Sequence, residues 1–220
     1  MKVVIISGGH VENAFALDWL QKNRYDLLIA ADSGMNFLYR NQLMPDVIAG
    51  DFDSVKADVL EYFTAGDTRM CANPEILRLN PVKDDTDTEF VIREAIRRGA
   101  THITILGGTG TRLDHVLGNV HLLGIGLSCG VEIEMMDAHN RIRMIKDKII
   151  LKKDEQFGLF VSILPFAGDA KGVTLKGFKY PLENAVVKSF SSLGISNEIV
   201  EEQATVQVEE GILLVIESRD

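Results

Sequence analysis

The sequence predicts an α/β fold, a mainly parallel sheet with helices on both faces over residues 1–136, followed by a smaller all-β sandwich domain over residues 137–220. Two observations predict it. Up to Met136, short apolar runs alternate with amphipathic stretches, the pattern of parallel strands joined by crossover helices. From Asp137 onward, short β-rich runs succeed one another, separated by glycine, proline and charged turns.

In the first part the apolar runs fall at residues 3–6, 27–31, 47–49, 76–79, 103–106 and 131–136, and helices are predicted at 13–21, 35–40, 55–63, 87–98 and 113–127. The helix over 87–98 is the best marked. Thr86 and Glu89 have capping-box spacing, Ile92, Ala95 and Ile96 make one face, and Gly99 supplies the stop. Asp137-Ala138-His139-Asn140 then reads as a turn into a strand at 142–145, and further strands are predicted at 158–164, 173–175, 185–187, 204–208 and 212–216. The segment 191–198 lacks strand character and is rich in hydroxyl and amide groups, which suits either an ordinary loop or a polar recognition loop.

Composition narrows the function. With 220 residues, 46% apolar and 25% charged, the chain can bury a sizeable core. No stretch approaches eighteen uninterrupted apolar residues, and the first strand runs straight into Ser7-Gly8-Gly9 rather than a cleavage site, so the expectation is no membrane span and a cytoplasmic location. Cys71 and Cys129 are far apart and in no C-x-x-C spacing, which favours free thiols. The net charge of -9 with no basic tract argues against nucleic acid as a partner. A phosphate-rich ligand would need metal ions beside the acidic groups.

In an open parallel sheet, ligands bind beyond the carboxyl ends of the strands, so the residues following each run are the candidates. They are Ser7-Gly8-Gly9, Asp32-Ser33-Gly34, Asp51 and Asp53, then Lys83-Asp84-Asp85-Thr86-Asp87, then Gly107 through His115. The centre of this set is Gly50-Asp51-Phe52-Asp53-Ser54, where Phe52 can turn into the core while both carboxylates emerge together. At about 4 Å and an effective dielectric of about 20, two such charges repel by about 4 kcal/mol, which calls for protonation, a basic partner or a divalent cation. A simpler reading leaves Asp53 or Ser54 as the cap of the helix that follows. Mg²⁺, which takes hard oxygen ligands and keeps several waters, would neutralise the aspartates jointly. The glycine-rich turn at Gly107 follows a strand and opens a helix, so its N–H groups can hold anionic oxygens and Arg112 can fork onto a phosphate. It lacks the Gly-Lys-Ser/Thr ending of a Walker A loop, and Leu113 spoils a dinucleotide fingerprint. Arg112, Asp114 and His115 would equally suit a surface ion pair and cap.

Asp32-Ser33-Gly34, Pro45-Asp46 with Gly50-Asp51-Phe52-Asp53-Ser54, Lys83-Asp84-x-Thr86-Asp87-x-Glu89, Gly107-Gly108-x-Gly110-x-Arg112-x-Asp114-His115 and Gly194-x-Ser196-Asn197 stand in the order found in thiamine pyrophosphokinases. The resemblance spans both parts of the chain. It implies an α/β nucleotide- and metal-binding domain, a β-sandwich contributing to the thiamine site, and a homodimer with active sites at the subunit interface. It further implies transfer of the pyrophosphoryl group of ATP to the hydroxyl of thiamine, giving thiamine diphosphate and AMP with Mg²⁺ as cofactor. By the same likeness, Asp51, Asp53, Asp84, Asp87 and Arg112 form the catalytic set, and Asp51 and Asp53 with Asp84 or Asp87 hold the metal. Asp32, Ser33, Gly34, Lys83, Gly108, Gly110, Arg112, Asp114 and His115 lie along the nucleotide, while Thr86, Ser196 and Asn197 contact substrate, the last two from the partner subunit. Thr111 and Ile195 depart from the family's usual glycine and threonine. Two other readings fit the carboxylates: a Mg²⁺-dependent kinase or pyrophosphokinase acting on another small alcohol, and a nucleotide-binding regulator without catalysis.

Overall fold

Unbroken apolar succession, rather than alternation, marks a strand covered on both faces, and this is how the strands at residues 2–6, 27–31 and 47–50 are built. The structure, a computed structural model, describes residues 1–53, 55–65, 73–80 and 85–220. The chain divides into two units, Met1–Ala138 and His139–Asp220.

In the first unit β1 (Lys2–Ile6), α1 (Asn13–Lys22), β2 (Leu27–Ala31), α2 (Met35–Arg40), β3 (Val47–Gly50), α3 (Ala57–Thr64) and β4 (Glu75–Arg78) follow one another. They continue through α4 (Asp87–Arg97), β5 (His102–Leu106), α5 (Leu113–Cys129) and β6 (Glu132–Met136). The strands pair in parallel in the order β4-β3-β2-β1-β5-β6. From β1 the chain steps outward to β4, then returns to the other side of β1 to form β5. The strand order therefore reverses between β1 and β5, the place where such sheets open a crevice at their carboxyl edge. Ile5, Ile6, Ile29, Ile48, Ile103 and Ile105 are closed to solvent, and Phe37 of α2 and Phe63 of α3 add to this core. β4, at the sheet edge, is mostly exposed. No helix among the described residues is long and apolar enough to cross a membrane.

Element starts followed local chemistry unevenly. α4 begins as predicted: Thr86 is its N-cap, its hydroxyl accepting the Glu89 N–H at 3.2 Å, and Glu89 itself pairs with Arg93. α3 begins two residues later than predicted, with Lys56 as its N-cap and no side-chain cap. Asp53 is therefore not the cap of that helix. Ser54, Cys71, Lys83 and Asp84 lie outside the described residues, and Cys129 is a free, exposed thiol.

The second unit comprises β7 (Asn140–Ile145), β8 (Lys148–Lys152), β9 (Phe160–Lys176), β10 (Leu182–Val187), β11 (Asn197–Glu198), β12 (Gln203–Gln207) and β13 (Glu210–Ser218). Strands predicted separately at 158–164 and 173–175 are one strand, β9. Its first part pairs with β11 and β13, and its second with β10 and β12. β7 extends the first sheet through β13, and β8 the second through β12. Ala167, Gly168 and Gly172 take positive φ where β9 passes between the sheets, and the ladder shifts register opposite them, so the strand bends instead of stopping. Val161, Ile163, Val173, Leu175, Val206 and Leu213 fill the core between the sheets. Glu217, fully buried on β13, accepts hydrogen bonds from Arg141, Arg143 and the Phe157 N–H, which satisfies its charge.

Candidate active site

At the switch between β1 and β5 two turns lie backbone to backbone. The Ser7 N–H donates to the Leu106 carbonyl at 2.8 Å and the Gly9 N–H to the Gly107 carbonyl at 2.9 Å. A Cβ on Gly9 would stand 2.4 Å from the Gly107 oxygen, and one on Gly107, whose φ is +75°, would stand 2.6 Å from the Ser7 oxygen. Only glycine permits this approach. Beside them, Asp32 opens a short 3-10 turn at the end of β2 with φ 45°, and Ser33 donates its hydroxyl to the Gly8 carbonyl at 3.2 Å.

The Asp51-Phe52-Asp53 turn depends on Phe52. Its φ is 65°, a left-handed conformation costing a bulky residue on the order of 1–3 kcal/mol. That backbone twist buries the ring at 6% exposure under the Arg78 guanidinium, 5.6 Å from the ring centre. The Asp53 N–H closes the turn onto Asp51 Oδ1 at 3.1 Å. Carboxylate oxygens of Asp32, Asp51 and Asp53 then lie within 4.8 Å of one another, with Asp32 and Asp51 half-buried and Asp53 exposed. This is a set of hard oxygen donors of the kind Mg²⁺ takes.

Asp32 also lines a cavity of about 690 Å³ together with Thr86, Asp87, Gly108, Gly110, Arg112 and His115. Residues from the turns after β1, β2 and β5 and from the start of α4 thus share one hollow, with Thr86 and Asp87 at the helix end. Arg112 and Asp114 form an exposed ion pair at 2.6 Å, and the guanidinium holds the Asp114 carboxyl down to about 2 while Arg112 is raised. The Asp114 carboxylate also accepts the His115 N–H at 3.0 Å. Such a pair contributes little to stability, and it keeps the guanidinium at the mouth of the glycine-rich turn.

Ser7, expected here from its place after the first strand, is on the cavity wall, and two further lining residues, Thr88 and Asn119, were not singled out by the sequence. Asn119, on α5, donates its amide to the Gly108 carbonyl at 2.9 Å and ties the glycine-rich turn to the helix behind it. Ser7 and Thr88, from β1 and α4, meet through their hydroxyls at 2.7 Å. Thr88 and Asn119 each sit in a helix whose period accounts for them without a function.

In the second unit, Ser196 is exposed with φ 54°, and its N–H donates to Ser162 Oγ at 3.0 Å. Asn197, expected to contact substrate, is 4% exposed. Its Oδ1 accepts the N–H groups of Tyr180 and Glu198, each at 3.0 Å, and its Nδ2 donates to the Tyr180 carbonyl at 2.7 Å. A cavity of about 550 Å³ opens between this segment and the Tyr180 turn, with Tyr180, Ser191, Leu193 and Ile195 on its walls.

Comparison with known proteins covers both units. The family model for the thiamin pyrophosphokinase catalytic domain matches residues 20–134, and that for the thiamin pyrophosphokinase vitamin B1 binding domain matches residues 147–213. A thiamine pyrophosphokinase of Bacillus subtilis is 33% identical over 223 residues, spanning 100% of both chains. Thiamine pyrophosphokinase 2 of Arabidopsis thaliana is 25% identical over 82% of this chain and 68% of its own. Among solved structures, the Bacillus subtilis thiamine pyrophosphokinase superposes with a TM-score of 0.87 at 30% identity over the whole of both chains. That of Geobacillus thermodenitrificans superposes with 0.84 at 28% identity, over 100% of this chain and 98% of the other.

Proposed function

The chain belongs to the thiamin pyrophosphokinase family, the enzymes that make thiamine diphosphate from ATP and thiamine, and we propose that it does so in the cavity beyond β1, β2 and β5. The single structural observation behind that placement is the convergence of Asp32, Asp51 and Asp53 beside a glycine-rich turn carrying Arg112. In the reaction the hydroxyl oxygen of thiamine bonds to the β-phosphorus of ATP. The bond from that phosphorus to the oxygen shared with the α-phosphate breaks, AMP leaves, and the hydroxyl proton passes to a nearby base. Asp87 is suited to take it, and Asp84 shares that assignment from the sequence. General base catalysis contributes about 10²–10⁴-fold, so clamping the phosphates in line carries more of the acceleration.

The metal belongs to this proposal. Asp51 and Asp53, with Asp32 beside them, fit Mg²⁺ by donor type and mutual spacing. When bound, the ion would neutralise phosphate charge as it develops. Arg112 and the backbone N–H groups of the Gly108–Gly110 turn hold phosphate oxygens from the other side, and Asp114 keeps the guanidinium oriented while the nucleotide is absent.

Thiamine recognition is assigned to the second unit. The cavity beside Tyr180, with Ser191 and Ser192 on its walls, offers an aromatic face and hydroxyl groups to a cationic thiazolium and a polar pyrimidine. We infer that Ser196, exposed on the same segment, supplies a direct contact and that Asn197, on the cavity wall, holds the segment's shape, because its amide is already engaged. A homodimer in which these groups serve the partner subunit's nucleotide site is part of the same reading, supported by the exposure of Tyr180, Phe190, Leu193 and Ile195. A monomer by light scattering at working concentration would remove it. A cytoplasmic setting, where ATP is abundant, belongs to the proposal as well.

Product analysis tests the activity. AMP formed in step with thiamine consumption is the expected result. ADP as product, or nucleotide turnover indifferent to thiamine, would return the enzyme to the wider class acting on another small alcohol.

A further inference from the structure

Ser7 and Thr88 stand apart from the groups assigned to the reaction. They are 3% and 8% exposed, yet both border the 690 Å³ cavity, and their hydroxyl oxygens are 2.7 Å apart across a chain separation of 81 residues. Thr88 sits in the first turn of α4, directly after Asp87, and does not cap its own helix, since Thr86 does that. Ser7 is held from behind by its N–H bond to Leu106 at the end of β5. The hydroxyl bond therefore couples three elements at the strand-order reversal: the ends of β1 and β5 and the first turn of α4.

We propose that the Ser7–Thr88 hydrogen bond is a positioning device, setting the first turn of α4 and with it Asp87 against the β1 edge, where Asp32 lines the same cavity. It rests on the reading that this cavity takes ATP. The hydroxyl pair is 2.7 Å apart, either oxygen can be the donor, and both are nearly closed to solvent, so removing one partner takes away the other's bond and the helix turn must shift or a water must enter. Misplacement of a catalytic group by about 1 Å can cost about 10²-fold in rate. The chemistry of neither hydroxyl is required, only the bond between them.

The test uses the whole chain, the single variants Thr88→Val, Ser7→Ala and Thr88→Ser, and the double variant that combines Ser7→Ala with Thr88→Val. Binding of a non-hydrolysable ATP analogue is measured by calorimetry, kcat and both KM values by AMP release, and the melting temperature alongside. Thr88→Val and Ser7→Ala should each weaken analogue binding and lower kcat by about tenfold or more, leaving the thiamine KM within about twofold. The double variant should be no worse than the more affected single one, because both remove the same bond. Thr88→Ser keeps the hydroxyl and should recover analogue affinity. Variants that melt earlier but bind and turn over as the parent does would overturn the proposal and leave the pair a packing feature. Should Thr88→Val not fold, Ser7→Ala with Thr88→Ser decides by the same criterion. Failure of the parent protein itself to bind the analogue would sink the ATP reading, whereas a binding parent with unaffected variants sinks only the positioning role.

Discussion

Two residues in left-handed backbone conformation, Phe52 at the sheet edge and Ser196 in the β unit, each stand beside polar side chains, and they divide their surroundings in opposite ways. At Phe52 the strained residue goes inward and its acidic neighbours Asp51 and Asp53 are left together near the surface. At Ser196 the strained residue stays outside while its polar neighbour Asn197 is buried and bonded to the Tyr180 backbone. Polar residue type alone therefore does not distinguish ligand contact from scaffold. What decides is which member of the strained pair the core accepts: an aromatic ring displaces carboxylates outward, and a small exposed serine lets an amide turn in to satisfy buried backbone groups.

That contrast can be broken at either end. The largest effect is expected for Asp51→Asn, which should lower AMP formation by about 10²–10³-fold while leaving the melting temperature equal or slightly higher, because one of three crowded charges is gone. Turnover at the parent's rate would place the metal away from this turn. Next comes Asn197→Ala, which strands the Tyr180 N–H and carbonyl and should cost about 1–3 kcal/mol in denaturant unfolding. An effect confined to the thiamine KM, with stability intact, would instead make Asn197 a direct contact. Ser196→Ala should do the reverse of Asn197→Ala, raising the thiamine KM about fivefold, the worth of one hydrogen bond of about 1 kcal/mol, with stability almost unchanged.

The smallest effect lies away from both turns. Arg97 and Arg98 hold the Glu94 carboxyl down to about 2 against an ordinary value of 4.5. A carboxylate depressed by folding stabilises the protein above its unfolded value, and that contribution is lost as the pH falls from about 4.5 toward 2. Glu94→Gln should flatten this acid limb of the melting curve and leave AMP formation at neutral pH untouched. An acid limb as steep as the parent's would assign the loss to other carboxylates.

Much of the fold was legible because its signals were local. Unbroken runs such as Val3-Val4-Ile5-Ile6 read as strands covered on both faces, and Thr86 with Glu89 marked the start of α4. The acid turns could be grouped because a parallel sheet brings the ends of its strands to one edge, whatever their separation in sequence. The bend in β9 was not legible: Pro165, Gly168 and Gly172 are turn residues by composition, and only pairing with β13, β10 and β12 carries the strand through them. Nor was the start of α3, which begins at Ala57 behind Lys56, past the plausible cap at Asp53. The burial of Asn197 depends on Tyr180, and the meeting of Ser7 with Thr88 on two distant elements. Partners so far along the chain leave no mark on a local pattern.

The most direct measurement is a crystal structure of the protein with a non-hydrolysable ATP analogue, Mg²⁺ and thiamine. The expected density is a metal about 2.0–2.1 Å from carboxylate oxygens of Asp51 and of Asp32 or Asp53, bridging to the analogue's phosphates. A triphosphate bound elsewhere, or a metal held by phosphates and water with these aspartates pointing away, would contradict the account.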